Sequence, residues 1–435
     1  MTGAVKLPLA ALLGLLAAAP AAAEPLAHRE VLPNGIVLLV AERPAIPLVA
    51  VRVLVRGGAT LDPPDRAGLA NLTGALLTRG TAKRAGPELD AAIEFVGGSL
   101  EAGAGRDDLT AALRVLKKDL TLGLDLLVEV VLTPTFPQAE LERKVAEIQA
   151  AIKRSDEDPG ALAGRGLARL IFPNHPYGVP VEGTRETVGR LTRDDVVHFH
   201  AAHVRPDAAI IAVVGAVTRD EARREIVARF GAWRRPSSPP ARVPEATPGP
   251  RPREEAIVRD LTQSTIVLGR QAVRQAHPDY FPLQVASYIL GGGSASRLYS
   301  RVREEGGLAY TVYSYVSPQR LGAAFIVSAQ TRTAEVARVK TMLREELARM
   351  IREPVTAAEL SLAKSYLIGS FPLRLDTSGK VADFVTAVEQ LGLGLDYPER
   401  YKARIAAVTA ADVQRVAARY FDPDSFNRVV VGKAP

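Results

Sequence analysis

The chain repeats itself at long range. Leu191-Thr192-Arg193-Asp194-Asp195-Val196, Val204-Arg205-Pro206-Asp207 and Ala212-Val213-Val214-Gly215 form one series. They return as Val408-Thr409-Ala410-Ala411-Asp412-Val413, Phe421-Asp422-Pro423-Asp424 and Val429-Val430-Val431-Gly432. Thr192 and Thr409 stand 217 residues apart, 409 less 192, and so do Pro206 and Pro423, and Gly215 and Gly432. Three features in one gapless register mean duplication of a whole folding unit, not a short-period solenoid. Each copy reads as a helix with a Thr N-cap and an acid three residues on, a Pro-Asp turn, then an apolar strand. Between the copies, Pro236, Pro239, Pro240, Pro244, Pro248, Pro250 and Pro252 crowd into Arg234 to Arg253. Proline fixes φ and lacks an amide hydrogen, so this stretch predicts an extended, semi-rigid linker. The units are then 24–234 and 254–435, joined by 235–253.

The first 23 residues have the pattern of a cleaved export signal. Lys6 gives a positive start, Leu7 to Ala19 is apolar, and Ala21-Ala22-Ala23 offers a small-residue cleavage site before Glu24. The apolar run is too short to span a bilayer, and no other stretch approaches the roughly 20 apolar residues that need demands. The expected location is periplasmic or secreted, with no integral membrane segment after cleavage. The roughly 410 remaining residues exceed what one hydrophobic core serves. With no cysteine, disulfides, thiolate metal sites and cysteine nucleophiles are excluded. The net charge of +7 is spread among interspersed acids with no basic run alternating with aromatics, which gives no support to nucleic-acid binding. It allows at most a mild preference for acidic peptides or partners.

Within each half, strands come first and helices follow. Gly35 to Ala41 and Leu48 to Arg56 read as strands, Gly98 to Ala104 and Leu109 to Leu116 as a hairpin. Arg66 to Thr78, Gly86 to Val96, Leu120 to Leu132 and Pro137 to Arg154 read as helices. In the second half, Gln263 to Gln271, Tyr310 to Ser317 and Gly322 to Gln330 are predicted strands. Asp279 to Leu290, Ala334 to Ile351 and Ala357 to Leu367 are predicted helices. This order predicts an α+β unit, an antiparallel-rich sheet with helices packed on one face.

Three segments carry the chemistry. The first is Ala67-Gly68-Leu69-Ala70-Asn71-Leu72-Thr73-Gly74-Ala75-Leu76-Leu77-Thr78-Arg79-Gly80-Thr81. The second is Leu290-Gly291-Gly292-Gly293-Ser294-Ala295-Ser296-Arg297-Leu298-Tyr299, running on to Arg303-Glu304-Glu305-Gly306-Gly307-Leu308-Ala309-Tyr310. The third is Gly97-Gly98-Ser99-Leu100-Glu101-Ala102-Gly103-Ala104. In this order the chain resembles the insulinase/pitrilysin metallopeptidase family over nearly all its length, from Val31 to Gly432. The resemblance implies two homologous α/β-roll domains forming half of a peptidase chamber.

The first segment resembles the family's active-site helix, Gly-Leu-Ala-His-x-x-Glu-His. Zinc in such a site is held by two histidines on one helix face, with a glutamate beside them as general base and a third ligand from a distant helix. Here the four positions are Asn71, Gly74, Ala75 and, on the later helix, Ala150. Asn71 is a weak neutral ligand and the other three have no donor atoms. The resemblance therefore implies no cofactor in this chain and zinc in a partner subunit.

The second segment resembles the family's C-terminal-domain signature. That resemblance assigns Tyr310 to hydrogen-bonding the scissile carbonyl and its developing oxyanion in trans, and Arg303 to holding the substrate backbone or supporting the tyrosine. The competing reading pairs Arg303 with Glu304 or Glu305 and makes Tyr310 a β-rich filler. Arg297 is expected to anchor the loop. The glycine run lacks the strand–loop–helix setting and the Lys-Ser/Thr ending of a phosphate cradle.

The third segment resembles an edge strand that pairs with extended peptide, through Ser99, Leu100, Glu101 and Ala102. Glu101 replaces the usual asparagine, which puts that pairing in doubt.

His200 and His203 share a helix predicted to expose them away from the chamber, with His198 on another face. His175 is expected to order a loop. No nucleophile elbow is present. The chain is thus expected to be the non-zinc-binding subunit of an exported heterodimeric peptidase, with a homologous zinc-binding subunit and a peptide as its partners. The alternatives are an inert structural or peptide-binding protein of the same fold and an independent enzyme with an unrecognised site.

Overall fold

A computed structural model describes residues 25–249 and 251–433. The proposed signal segment, 1–23, lies outside the described residues. The first half begins with strands β1 (His28–Val31), β2 (Val37–Glu42) and β3 (Leu48–Arg56). Helices α1 (Leu69–Leu76) and α2 (Gly86–Phe95) lead to the hairpin β4 (Ser99–Ala104) and β5 (Asp108–Leu116). Helices α3 (Leu120–Leu132), α4 (Gln138–Ser155), α5 (Pro159–Ile171), α6 (Arg185–Val188) and α7 (Arg193–His203) follow. Strand β6 (Ala209–Gly215) and helix α8 (Arg219–Phe230) close the half.

The second half opens with β7 (Glu254–Val258), β8 (Gln263–Gln271) and α9 (Tyr280–Gly291). A π-helical turn, Tyr299–Glu305, precedes the hairpin β9 (Ala309–Pro318) and β10 (Ala323–Arg332). Then come α10 (Val336–Arg352), α11 (Ala357–Ser370), α12 (Ser378–Gln390), α13 (Tyr397–Ala407), α14 (Ala410–Tyr420) and β11 (Asn427–Gly432).

The two sheets share one topology over five strands, to which the first adds β1 at its edge. The first runs β1-β2-β6-β3-β5-β4 and the second β7-β11-β8-β10-β9. In each, a single parallel pair (β2 with β6, β7 with β11) sits in an otherwise antiparallel ladder. The repeated helices, α7 and α14, lie 217 residues apart at both ends, and each opens with a reciprocal cap. Thr192 Oγ1 accepts the Asp195 N–H (3.2 Å) while Asp195 accepts the Thr192 N–H (2.9 Å), and Thr409 and Asp412 repeat this at 3.1 and 3.0 Å.

One face of each sheet carries most of its own helices. In β5, Leu109, Ala111, Leu113 and Val115 point into that core and alternate with less buried residues. The opposite face is covered by a single helix from the other half. Val381, Ala382 and Val385 of α12 pack on Leu39, Ala50, Ile210 and Val214 of the first sheet. Reciprocally, Ala163, Leu167 and Ile171 of α5 pack on Val267, Val429 and Val431 of the second. Central strand β6 is buried at every position because both its faces are covered, which explains its unbroken apolar run. Among its described residues the linker has no helix or strand, yet the segment is tied down. Ala246 N–H donates to the Leu321 carbonyl (2.8 Å), and Gln271 Nε2 donates to the Thr247 carbonyl (2.8 Å).

Two local expectations need correction. The helix expected over Arg66 to Thr78 starts only at Leu69, because Gly68 takes a left-handed conformation (φ 98°) and Pro64 to Arg66 form a separate 3-10 turn. The expected exposed His200/His203 face is partly buried. His200 Nε2 donates to the Val131 carbonyl (2.9 Å) and the ring meets Phe136 edge-on, while His203 lies against Phe199. Burial holds both imidazoles below their ordinary pKa.

Candidate functional site

Helix α1 is short, apolar and capped from a distance. Asp62 accepts N–H bonds from Gly68 (2.9 Å) and Ala70 (2.8 Å), supplying the N-terminal partner that Gly68 has no side chain to provide. Asn71 and Ala75 are half-buried, and Ala150 is exposed on α4, which packs against α1. Gly74 is buried directly on edge strand β4. A Cβ there would lie 2.5 Å from the Gly103 carbonyl carbon and 2.6 Å from the Ala104 nitrogen. Both are backbone atoms, so nothing can rotate away.

Gly291, 217 residues later, repeats the contact. Its Cβ would meet Ser314 N at 2.5 Å and the Tyr313 carbonyl carbon at 2.9 Å on β9, the edge strand of the second sheet. The first half thus packs its would-be metal helix as the second half packs α9. The residues present do not fit zinc: donors are missing, and the position of the general base has no room for a side chain. Among the described residues, no three His, Asp or Glu side chains are grouped to hold a metal ion elsewhere.

Strand β4 is the sheet edge. Leu100 and Ala102 pack against the core. Ser99 and Glu101 line a shallow pocket of about 170 Å³ on the other face with Arg52, Arg114 and Asp383. Arg52 pairs with Asp383 of α12 at 2.8 Å.

Arg303 and Tyr310 come together at the head of β9. Arg303 stands on the π-helical turn, with its guanidinium carbon 4.8 Å from the Tyr299 ring centre and 5.6 Å from that of Tyr310. Among the described residues no carboxylate lies within ion-pair distance of Arg303, so the competing Glu304 or Glu305 pairing is absent. Tyr310 is the extra residue of a β-bulge: Ala309 pairs with Thr331 and Thr311 with Gln330. A bulge bends the strand and re-aims the side chain, and Tyr310 is left 72% exposed. Arg303 thus lies over a face of the Tyr310 ring and leaves the phenol exposed.

The π-helical turn is held from beneath. Arg301 pairs with Glu345 (2.5 Å) and with fully buried Glu346 (3.1 Å), which also takes Arg349 (3.0 Å). Glu346→Ala is expected to destabilise the chain by about 2 kcal/mol, below the roughly 3–5 kcal/mol seen where both partners are buried, because both arginines retain water contact. A urea midpoint checks it.

Arg297 binds Glu359 through Nε (2.6 Å) and Nη2 (3.0 Å), and Glu359 also accepts the Thr356 N–H (2.8 Å) at the start of α11. This arginine therefore anchors the loop to a helix cap. Burial lifts the Glu359 carboxyl, but the bonds from Arg297 and Thr356 outweigh it and hold it down at about 2, from an ordinary 4.5. A depressed carboxyl contributes stability that is present above about 4.5 and lost as pH falls toward 2. Arg297→Met is expected to flatten that loss, measured as the change in urea midpoint across the same window.

His175 orders its loop. Nδ1 accepts the Tyr177 N–H (3.1 Å), which leaves Nε2 to donate to the Pro244 carbonyl (3.0 Å). The bulge, the π-helical turn and the helix exchange carry no local sequence signal. The Gly74/Gly291 pair does, in the duplication offset itself.

Two α+β rolls with exchanged helices, a ligand-stripped helix on an edge strand and an exposed arginine–tyrosine pair define a metallopeptidase-like protein without a metal centre among its described residues. Residues 37–185 match the model of the insulinase family (peptidase family M16), and residues 190–367 match that of the peptidase M16 inactive domain. An uncharacterised zinc protease of Mycobacterium tuberculosis is 33% identical over 357 residues, 81% of each chain. A non-peptidase homolog, YmxG, of Helicobacter pylori is 24% identical over 396 residues, 90% of each. The crystal structure of a peptidase M16 inactive domain from Pseudomonas fluorescens superposes with a TM-score of 0.88 at 26% identity, covering 94% of this chain and 98% of that one. The chain belongs to the insulinase (M16) family.

Proposed function

We propose that this chain is the metal-free subunit of an exported two-chain peptidase, in which a homologous partner supplies zinc and general base. The observation that carries the reading is the contrast between two sites in one molecule. The metal site is stripped at Asn71, Gly74, Ala75 and Ala150 and closed at Gly74, while Arg303 and Tyr310 stay exposed and, among the described residues, free of ion pairs. A side chain buried in its own core could not reach a substrate held elsewhere; Tyr310 can. Its role is to donate to the oxyanion formed on the partner's substrate, with Arg303 positioning the phenol or the peptide backbone. The experiment is to mix the purified chain with an insulinase-family chain from the same organism that keeps the His-x-x-Glu-His helix, and to measure peptide cleavage. The expected result is cleavage by the mixture and none by this chain alone.

A second reading is an inert peptide-binding or structural protein. The non-peptidase homolog among its relatives favours it, and it predicts that no partner elicits cleavage.

A further inference from the structure

A groove of about 470 Å³ runs between the halves and takes no part in the site above. Its wall is α5, where Gly160, Gly164 and Ala168 keep the side chains short. Its floor is the part of the second sheet beyond α5, with Tyr313, Tyr315 and Ser317 on β9 opposite Ser328, Ile326 and Ala324 on β10. Alternate residues of one strand project from one face, about 7 Å apart. The Tyr313 and Tyr315 rings lie 5.9 Å apart, inclined by 31°, and are 45% and 43% exposed. The long side is β9 itself, the last strand of its sheet, with no strand partner on its outer edge among the described residues.

Among the described residues the groove has one charged lining residue, Arg106. Its Nη1 holds the Tyr177 and Val179 carbonyls, both at 3.0 Å. Tyr177 in turn accepts the Leu321 N–H through its hydroxyl (2.9 Å), which fixes Arg106 at the β9–β10 turn. Among the described residues Nε and Nη2 of Arg106 have no hydrogen-bond partner. Asp107 is engaged by Tyr177 (2.6 Å) and Arg320 (3.5 Å), and Glu182 is near enough to feel the charge of Arg106 but beyond ion-pair distance. At the same end Gln319 buries its side-chain oxygen with no donor.

We propose that this groove binds the C-terminal end of an extended polypeptide, with the terminal carboxylate on Arg106 and apolar or aromatic side chains on Tyr313 and Tyr315. A guanidinium with two unused N–H directions, in a lining that holds no carboxylate, selects one planar anion and offers nothing to a cation. Gln319 accepts a backbone N–H, and the free edge of β9 adds a strand. The tyrosine floor takes flat apolar side chains and keeps its hydroxyls wet.

Fluorescence anisotropy on the full chain alone tests this, so failure here is distinguishable from failure of cleavage with a partner. The probe is a labelled peptide ending in Leu-Phe, as the free acid and as the C-terminal amide. Amidation is expected to weaken binding about tenfold or more, the scale of a charge-assisted hydrogen bond. Arg106→Gln is expected to erase the difference between acid and amide. Gly164→Phe is expected to abolish binding without disturbing the fold, because a Cβ at 164 meets nothing within 4 Å. Equal binding of acid and amide, undiminished binding to Gly164→Phe, or no binding of either peptide overturns the proposal. Competition by N-acetylphenylalanine as strong as by the peptide overturns the extended-chain occupant.

Discussion

Installing two histidines (Asn71→His, Ala75→His), a general-base glutamate (Gly74→Glu) and a carboxylate ligand on the later helix (Ala150→Glu) is expected to leave the chain without stoichiometric zinc. Donor atoms are only half of what is missing. Helix α1 rests on β4 through Gly74, with backbone atoms of Gly103 and Ala104 where a Cβ would go. A glutamate there must push the helix off its sheet, and the imidazoles on the same helix move with it. The single change Gly74→Ala isolates the contact. On an open helix, alanine would be favoured over glycine by about 1 kcal/mol. Here the overpacking cost, typically about 1–3 kcal/mol, opposes that gain and is expected to exceed it, since the clash is with backbone. Net destabilisation measured by urea unfolding, together with metal analysis of the fourfold variant, decides the matter. One zinc per chain, or a Gly74→Ala variant more stable than the parent, would show that the site is stripped but not closed.

The second large effect concerns Tyr310. In the active mixture, Tyr310→Phe is expected to lower kcat by about 100- to 1,000-fold, the loss found when one oxyanion donor of roughly 2.7–4 kcal/mol is removed. KM should change little, because the hydroxyl acts on charge that develops only in the transition state. Folding should be untouched, since the ring is 72% exposed and its hydroxyl has no hydrogen-bond partner among the described residues. An unchanged kcat would remove Tyr310 from the chemistry and return the weight to the inert reading. Arg303 stacks on the same ring, so Tyr310→Phe also separates the hydroxyl from the aromatic platform, which phenylalanine keeps.

The duplication was legible in the sequence because it rests on groups with strong local preferences. Thr192 and Thr409 cap helices, Pro206 and Pro423 open turns, and Gly215 and Gly432 end strands at the positions the repeat implies. Most strands and helices followed from the same local logic. The stripped metal helix was legible as well, since missing donor atoms are visible in residue names alone. Its closure onto β4 was not, because a glycine in a helix says nothing of what it touches. The aim of Tyr310 depends on one unpaired residue in a ladder, which only the opposite strand reveals. Nor could periodicity tell which sheet an apolar helix face would meet: α5 and α12 each have an ordinary buried stripe, and each spends it on the neighbouring half. His200 was misjudged for a related reason. Its surroundings come from Val131 and Phe136, far away in the chain.

That trade of α5 for α12 bears on ancestry. A single roll, living alone, would have had one bare side on its sheet and one helix with nowhere to lie. Two copies could satisfy each other by lending that helix across a twofold axis, as domain-swapped dimers do. Fusion of two such genes through a proline-stiffened tether would preserve the loan and make it permanent. The present molecule is what that union would leave behind, with neither parent able to withdraw.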